Sequence, residues 1–361
     1  MANSVDSAML ESLISPQKVN IIRRASRIQA FQIMLVLFVI TILFSIIKPV
    51  TFMTFYNFRN IIINTSIFAV LGVGMTFVII TAGIDLSIGS VLILSSVISC
   101  KVMASMGGQG WGTAMIGVAI ALIVGGICGL INGWLVSIAR VPAFIVTLGS
   151  MGAALGAAQI ITGGIDLSTV PQVFVDRIGF GNIIGEVPML AVISLVIAFI
   201  GAVVLHKTRF GLLTYAVGSN PEGCRRVGIN VNRHLIFVYT IMGFLAGLAG
   251  ILSLAFYQQT TIAGQSSTAL TIIAGVVIGG SSLFGGYGSI FGTVVGLLIP
   301  VVLQNGFIII GVVPYWQNVV VGVFLVAAVY VDTARREAAE GGHHRLKNRS
   351  QVGSKSKKGK E

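Results

Sequence analysis

The chain has 361 residues, of which 55% are hydrophobic and only 9% charged, with a formal net charge of +12. Ordinary soluble domains carry roughly a quarter charged residues, so this composition excludes a soluble globular protein. Residues 234–331 contain no Asp, Glu, Lys or Arg, which indicates a chain that lies mostly in lipid or against other apolar helices.

Lysine and arginine avoid the apolar runs and gather in the first 28 residues, a central loop and the C-terminal tail. This distribution is typical of membrane topology, and we expect no nucleic-acid partner. Cys100, Cys128 and Cys224 form no CxxC pair and lack metal-ligand spacing, so we expect free thiols and no metal site. The first apolar run begins too far along the chain for a secretory signal and is predicted to remain as a membrane anchor.

Ten apolar runs are long enough to cross a bilayer as helices, which requires about 20 residues each. The sequence therefore predicts an all-α polytopic membrane protein with about ten transmembrane helices, some of them broken where glycine is frequent. Residues 29–332 would form the transmembrane domain, between an N-terminal segment, 1–28, and a basic, disordered tail, 333–361. The predicted spans are 29–47, 60–82, 88–107, 112–137, 143–162, 188–205, 235–257, 267–283, 289–311 and 314–331.

With ten spans both termini lie on one side of the membrane, and the distribution of basic residues indicates which side. A cytoplasmic N-terminus places 19 of the 23 Lys and Arg residues inside, including five in the central loop 206–234 and nine in the tail. The other four are Lys48, Arg59, Lys101 and Arg177. We therefore expect both termini in the cytoplasm, with the tail along anionic membrane lipid.

Three short motifs of the first half recur in the same order in the second half. The pairs are Gly110–Thr113 with Gly286–Ser289, Asn132–Gly133 with Asn305–Gly306, and Val141–Phe144 with Val313–Trp316, at offsets of 176, 173 and 172 residues. Because the partners are five spans apart, segments 2–5 and 7–10 would be inverted repeats, which are typical of transport proteins. A further echo, of Ile80–Ser87 by Ile161–Ser168, has an offset of 81 and does not fit this repeat.

The central loop contains the pattern of a short helix over 220–227. The residues that indicate it are Asn220 as the N-cap, Pro221 at the first position, Glu222 at the positive end, Arg225 and Arg226 at the negative end, and Gly228 as the stop. Two interpretations stay open. The helix is either a solvated connector or a docking helix for a cytoplasmic partner.

Asp85 lies at the junction of the second and third predicted spans. A charged carboxylate is costly at the bilayer centre, so Asp85 either lies at an interface, caps the next helix or faces a cavity on a transport path. The uncharged polar residues in spans either line a hydrophilic path or join helices; they are Asn64, Thr65, Asn132, Gln304 and Asn305. The aromatic residues that either stack on a sugar ring or sit at the bilayer interface are Phe144, Phe307, Tyr315 and Trp316.

Motifs for energy conversion and catalysis are missing from the sequence. The single near match to a phosphate loop, Gly353–Lys360, has the wrong spacing, so the chain is not expected to bind ATP. No arrangement of a nucleophile and a base is present, and an enzyme is therefore not predicted.

Five motifs in order resemble the ribose-type sugar permeases of bacterial ABC importers. They are Gly83–Ser90, Gly129–Gly133, Pro142–Gly149, the loop Thr208–Val231 and Ile278–Ser289, and the likeness runs over residues 30–332. The sequence departs from the usual family pattern at Leu155-Gly156, where an Arg-Gly is frequent, and at Glu222-Gly223-Cys224, where Glu-Ala-Ala is usual.

The resemblance implies a monosaccharide permease in the bacterial inner membrane. Its implied partners are a second permease copy or a related permease, an extracytoplasmic sugar-binding protein, and ABC ATPase subunits that hold the ATP and Mg, so that no cofactor belongs to this chain. It also favours the docking-helix interpretation of 220–227. Two rival functions remain: a cation-coupled transporter that uses Asp85, and a permease for branched-chain amino acids or lipids.

Overall fold

The computed structural model describes residues 29–183, 185–263 and 267–313, together with separate helical positions between 316 and 333. Within these ranges the chain forms α-helices and no β-strands, which confirms the predicted all-α class. The helices are α1 Gln29–Ile47, α2 Pro49–Phe52, α3 Phe55–Ile80, α4 Ile88–Met106, α5 Trp111–Ser137, α6 Ala143–Thr162, α7 Gln172–Phe174, α8 Met189–Lys207, α9 Arg209–Ser219, α10 Pro221–Arg226, α11 Val231–Tyr257, α12 Thr268–Ile278 and α13 Ile290–Ile309; Val175–Gly179 forms a π-helical turn.

Seven of the helices in these ranges are long and apolar enough to cross a membrane: α3, α4, α5, α6, α8, α11 and α13. The eighth of the ten predicted spans, 267–283, is too long, because α12 ends at Ile278. The chain then turns at Gly280, whose φ of 101° suits only glycine. Helix α1, Gln29–Ile47, has the bounds predicted for the first span. The predicted tenth span and the two terminal segments fall largely or wholly outside the described residues.

Helix α3 is at the centre of the bundle, where it packs against α8, α11 and α13. In its most apolar stretch 83% of the residues are buried, against 28% in α8 and 22% in α6. A second apolar cluster joins α1 to α13, with Phe44 packed edge-on against Phe307 at 5.8 Å between ring centroids. Phe307 is half-buried and packs against this cluster, which favours a role in helix packing. Stacking of this ring on a sugar stays a prediction.

The first helix of each predicted repeat packs against the third helix of the other repeat. Helix α3, the first of one repeat, packs against α13, the third of the other, and α11 packs in the same way against α5. The turns that end α3 and α11 also match, because Ala82 and Gln258 both have a left-handed backbone, with φ of 59° and 58°. These two residues are 176 apart, the same offset as the first sequence motif. The packing is what two inverted repeats produce.

The contact between α5 and α11 depends on two pairs of glycines. Gly125 and Gly129 on α5 face Gly243 and Gly247 on α11, a GxxxG pattern on both helices. A Cβ on Gly243 would lie 2.8 Å from the Cα of Gly129 and closer still to the carbonyl oxygen of Gly125. The two backbones therefore touch, which is how small residues join helices that have no apolar driving force in lipid.

The loops fall at two ends of the bundle. We call the end with loops 81–87, 138–142, 208–230 and 279–289 the basic end, because it carries most of the described Lys and Arg residues that lie outside the helical spans. At this end the Gly286 amide donates to the carbonyl oxygen of Ile80 at 2.8 Å. At the opposite end the loops 163–187 and 258–263 meet, and the Thr260 amide donates to the Leu167 carbonyl oxygen at 2.8 Å.

Candidate functional site

The segment between α8 and α11 folds into two helices in place of the single short helix predicted. Helix α10 lies at the predicted position, and Asn220 caps it by accepting the Gly223 amide at 2.8 Å. Helix α9, which was not predicted, begins where Thr208 accepts the Gly211 amide at 3.3 Å. The Thr208 cap before an apolar run was the signal for α9. The two helices, separated by the non-helical Asn220, form a helical arm at the basic end.

One side of this arm is anchored to the bundle. Cys224 is buried against Val217 and Val231, which fixes α10 to the ends of α9 and α11. On α9, the Thr214 hydroxyl lies 3.1 Å from Nε2 of His234 on α11. Thr214 and His234 are both buried, so this contact packs α9 against α11.

The other side of α10 is exposed. Arg225 donates to Glu222 in an ion pair of 2.6 Å, and the side chains are 49% and 68% exposed respectively. Arg226 is exposed as well, and Val227 is 75% exposed although it is apolar. The arm therefore presents a small surface that combines both charges with an apolar side chain.

The end of α9 packs closely against the bundle through glycines. A Cβ on Gly218 would overlap the carbonyl oxygen of Ile80, the same oxygen that the Gly286 amide contacts. The Tyr215 hydroxyl donates to the Gly288 carbonyl oxygen at 2.8 Å, and burial raises the pKa of Tyr215, which keeps this donor protonated. The end of α9 therefore contacts both the end of α3 and the loop 279–289.

Asp85 lies in that turn, between α3 and α4, and is 2% exposed. Its Oδ1 accepts both the amide and the hydroxyl of Ser87, at 2.9 and 2.6 Å. The N-cap position of α4 is Ser87, so the expectation that Asp85 itself caps this helix is wrong by two residues. Burial raises the pKa of the Asp85 carboxyl, and the hydrogen bonds from Ser87 oppose that shift.

A chain of hydrogen bonds runs from Asp85 to two spans. The side-chain amide of Asn132 on α5 donates to the Ser87 hydroxyl at 3.0 Å, and the Ser150 hydroxyl on α6 donates to Oδ1 of Asn132. The Thr147 hydroxyl, also on α6, contacts the Ile84 carbonyl oxygen at 3.3 Å. The turn after α3 is thus joined to both α5 and α6, and two of the predicted pathway residues, Asp85 and Asn132, belong to one buried network.

The other predicted polar residues lie elsewhere. Asn64 is half-buried and accepts the Tyr257 hydroxyl at 2.9 Å, which joins α3 to α11 toward the opposite end. Thr65 bonds within its own helix to the Ile61 carbonyl oxygen. Gln304 and Asn305 are half-buried on α13, and no partner for Oδ1 of Asn305 is found within the described ranges.

The predicted aromatic residues also separate. Phe144 is 54% exposed at the start of α6, and Trp316 is 61% exposed. Tyr315 lies outside the described residues. No hydrogen bond in the described part of the chain joins Asn64 or Gln304 to the Asp85 network, so of these polar residues only Asp85 and Asn132 share one network.

No cluster of three or more His, Cys, Asp or Glu residues suited to a metal ion occurs in the part of the chain that the structure describes. The three cysteines are free thiols, as predicted, with Cys100 and Cys224 buried.

A bundle of apolar spans with exchanged repeats and a helical arm at one end defines a polytopic membrane protein of the transporter type. The family described as branched-chain amino acid transport system / permease component matches residues 57–329. The chain belongs to this family, among the ribose-type permeases of ABC importers.

Several curated relatives match most of the chain. It is 37% identical to the ribose import permease protein RbsC of Escherichia coli (strain K12) over 306 residues, 84% of this chain and 93% of that one. It is 36% identical to the D-allose transport system permease protein AlsC of the same strain, over 82% of this chain and 89% of that one. It is 34% identical to the fructose import permease protein FrcC of Rhizobium meliloti, over 85% and 86%. No solved structure matches.

Proposed function

We propose that the chain is the membrane subunit of an ABC importer that moves a monosaccharide into a bacterial cell. The observation that carries this proposal is the similarity over more than four fifths of the chain to permeases named for ribose, allose and fructose. The family description names branched-chain amino acids, but these relatives are named for sugars, which favours a sugar here.

The proposed assembly places the basic end in the cytoplasm of a cell whose inner membrane the chain spans. Separate ATPase subunits would hold the ATP and Mg, an extracytoplasmic binding protein would deliver the sugar, and a second permease copy or a related permease would complete the membrane unit. The excess of Lys and Arg at the basic end supports this orientation.

We propose that α10 receives the motion of the ATPase subunits. Its exposed surface offers Glu222, Arg225 and Arg226 to a partner, while Asn220 and Pro221 shape the start of the helix. Because Gly218 on α9 rests directly on the turn after α3, a push on the arm would reach the Asp85 network.

For the translocation pathway, partial exposure supports Asn64, Phe144, Gln304 and Asn305 as lining residues. The deep burial of Asp85 and Asn132 favours a positioning role for these two. The two Ser87 bonds to Oδ1 of Asp85 support the same role, because they use the carboxylate to hold the turn.

The transport function is tested by reconstituting the chain with candidate ATPase and sugar-binding proteins from the same genome. We expect ATP-dependent accumulation of a labelled monosaccharide, competed by other monosaccharides and unchanged by leucine or by an ionophore. Uptake that collapses with the ionophore and needs no ATPase would establish a cation-coupled transporter. Competition by leucine would establish an amino-acid permease.

The docking role of α10 is tested with Glu222→Ala and Arg225→Ala in the same complex. We expect each change to lower sugar-stimulated ATP hydrolysis about tenfold, the size of a strong interface residue. Loss of the ion pair does not explain such an effect, because an exposed pair at this spacing contributes at most about 0.5 kcal/mol. The exposed Lys207→Ala at the end of α8 is the matched control and should retain normal stimulation.

The double exchange Glu222→Arg with Arg225→Glu separates docking from the ion pair. The exchanged charges are less well placed on the helix dipole, which costs about 0.3–1 kcal/mol each. The exchange restores the ion pair and reverses the charges that a partner meets, so we expect it to remain uncoupled. Normal stimulation in the exchanged variant would show that the pair serves only the helix.

A further inference from the structure

The opposite end of the molecule contains a second aspartate that holds a turn. Oδ1 of Asp166 accepts the Thr260 hydroxyl and the Ile262 amide, both at 2.9 Å. The Leu167 amide donates to the Thr260 hydroxyl oxygen at 2.9 Å, and the Thr260 amide returns a bond to the Leu167 carbonyl oxygen. Four hydrogen bonds therefore join residues 166–167 to residues 260–262, and Thr260 and Ile262 are both buried.

This arrangement accounts for the sequence echo that the repeats do not explain. The two copies of the Ile-Asp-Leu-Ser motif place Asp85 at the basic end and Asp166 at the opposite end. Asp85 holds the turn that ends α3 and Asp166 holds the turn that ends α11, just after the left-handed residues Ala82 and Gln258. One carboxylate thus holds each of the two equivalent turns of the inverted repeats. Asp85 belongs to the turn that it holds, whereas Asp166 reaches the turn after α11 from the neighbouring loop after α6.

Helix α6 lies between the two aspartates. Its first turns are bonded to the turn after α3 through Thr147 and to the Asp85 network through Ser150. Its last residue, Thr162, is followed by Gly163 and Gly164, both with a left-handed backbone, and then by Asp166. Helix α6 is the least buried of the seven candidate spans, and its largest helix contacts are with α4 and α5. Near its end the Lys101 side chain also donates to the Ile161 carbonyl oxygen at 3.0 Å. The bonds of Thr147, Ser150 and Asp166 therefore add to the contacts that hold its two ends.

We propose that Asp166 is a positioning residue that fastens the loop after α6 to the turn after α11, as a hydrogen-bond acceptor whose charge is not required. When this Asp166 clamp opens, the end of α6 and the loop 163–171 separate from α11. The geometry of the clamp does not depend on the transported solute, whereas its effect on transport rests on the proposed function.

The accessibility of the Cys100 thiol indicates whether the Asp166 clamp is open or closed. Its thiol is fully buried and donates to the carbonyl oxygen of Thr169, three residues beyond Asp166. Movement of this loop exposes the thiol at the opposite end of the bundle. In a Cys128→Ala and Cys224→Ala background, the rate at which a membrane-impermeant maleimide labels Cys100 in the full chain therefore measures opening.

We expect Asp166→Ala to label about tenfold faster than the background protein, because Thr260 and Ile262 lose their common acceptor. Asp166→Asn keeps an oxygen that accepts both bonds and should label within about twofold of the background. The matched control is Asp176→Ala, since among the described residues the carboxylate of this nearby acidic residue accepts from Gln172, one turn away, and from no residue near α11. Its labelling rate should not change.

Thr260→Val opens the clamp from its other side and so guards against a fold defect in Asp166→Ala. It keeps a side chain of similar size and removes two of the four bonds, the one to Asp166 and the one from the Leu167 amide. It should label as fast as Asp166→Ala. Unchanged labelling in both variants would overturn the clamp, and fast labelling of Asp166→Asn would show that charge matters instead.

A second readout is sugar uptake by the assembled complex, which should fall with Asp166→Ala and return with Asp166→Asn. Absence of uptake in the unmodified complex would contradict the proposed function and leave the labelling result intact.

Discussion

Gly243→Ala should lower the free energy of unfolding by about 3 kcal/mol, near the upper end of what an added methyl costs in a closely packed site. The new Cβ would overlap the backbone of α5 at Gly125 and Gly129, and backbone atoms of a long helix have no room to move aside. We expect a lower melting temperature in detergent and a smaller fraction of monodisperse protein in size-exclusion chromatography.

Gly152→Ala on α6 is the matched control, because a Cβ at this helical glycine meets nothing within 4 Å. Alanine favours a helix over glycine by up to about 1 kcal/mol, so this variant should be as stable as the parent or slightly more stable. Equal melting temperatures for the two variants would contradict the backbone contact between α5 and α11.

Asp85→Ala is expected to cost about 3 kcal/mol of stability. It leaves the Ser87 amide and hydroxyl without their acceptor in a buried turn, and each unsatisfied group costs about 1–3 kcal/mol. The Asn132 amide then loses the alignment of its own partner, Ser87. The melting temperature of the purified chain measures the loss.

Asp85→Asn separates the two properties of this side chain. The amide keeps an acceptor for both Ser87 bonds and removes the cost of burying a charge, so we expect stability within about 1 kcal/mol of the parent. A loss as large as that of Asp85→Ala would show that the negative charge itself holds the turn.

The sequence was sufficient for the features that depend on local chemistry. Apolar runs predict most spans because a helix in lipid must be apolar along its length, and the α10 cap follows from Asn220 and Pro221 alone. The early end of α12 was missed, because consecutive glycines permit both a close helix contact and a turn. Gly279 approaches Gly292 on α13, whereas Gly280 turns the chain.

The candidate site was harder to predict because its contacts join distant parts of the chain. Asn132 was named as a polar residue of a span, but its partners Ser87 and Ser150 lie 45 and 18 residues away, and each is an ordinary serine in the sequence. Gly218 and Asp166 were not recognised for the same reason. The repeated Ile-Asp-Leu-Ser motif was visible, but only the helix packing shows that its two copies hold equivalent turns.

The exchange of helices between repeats has a consequence for biosynthesis. The glycines of α5 pack against the glycines of α11, so the contact at Gly125 cannot form until Gly243 has been synthesised. At about 5–20 residues per second this interval is on the order of ten seconds. During that time the first half of the protein has emerged from the ribosome without the neighbours that complete it, and we expect chains interrupted in the 208–230 segment to be degraded unless the missing half is co-expressed.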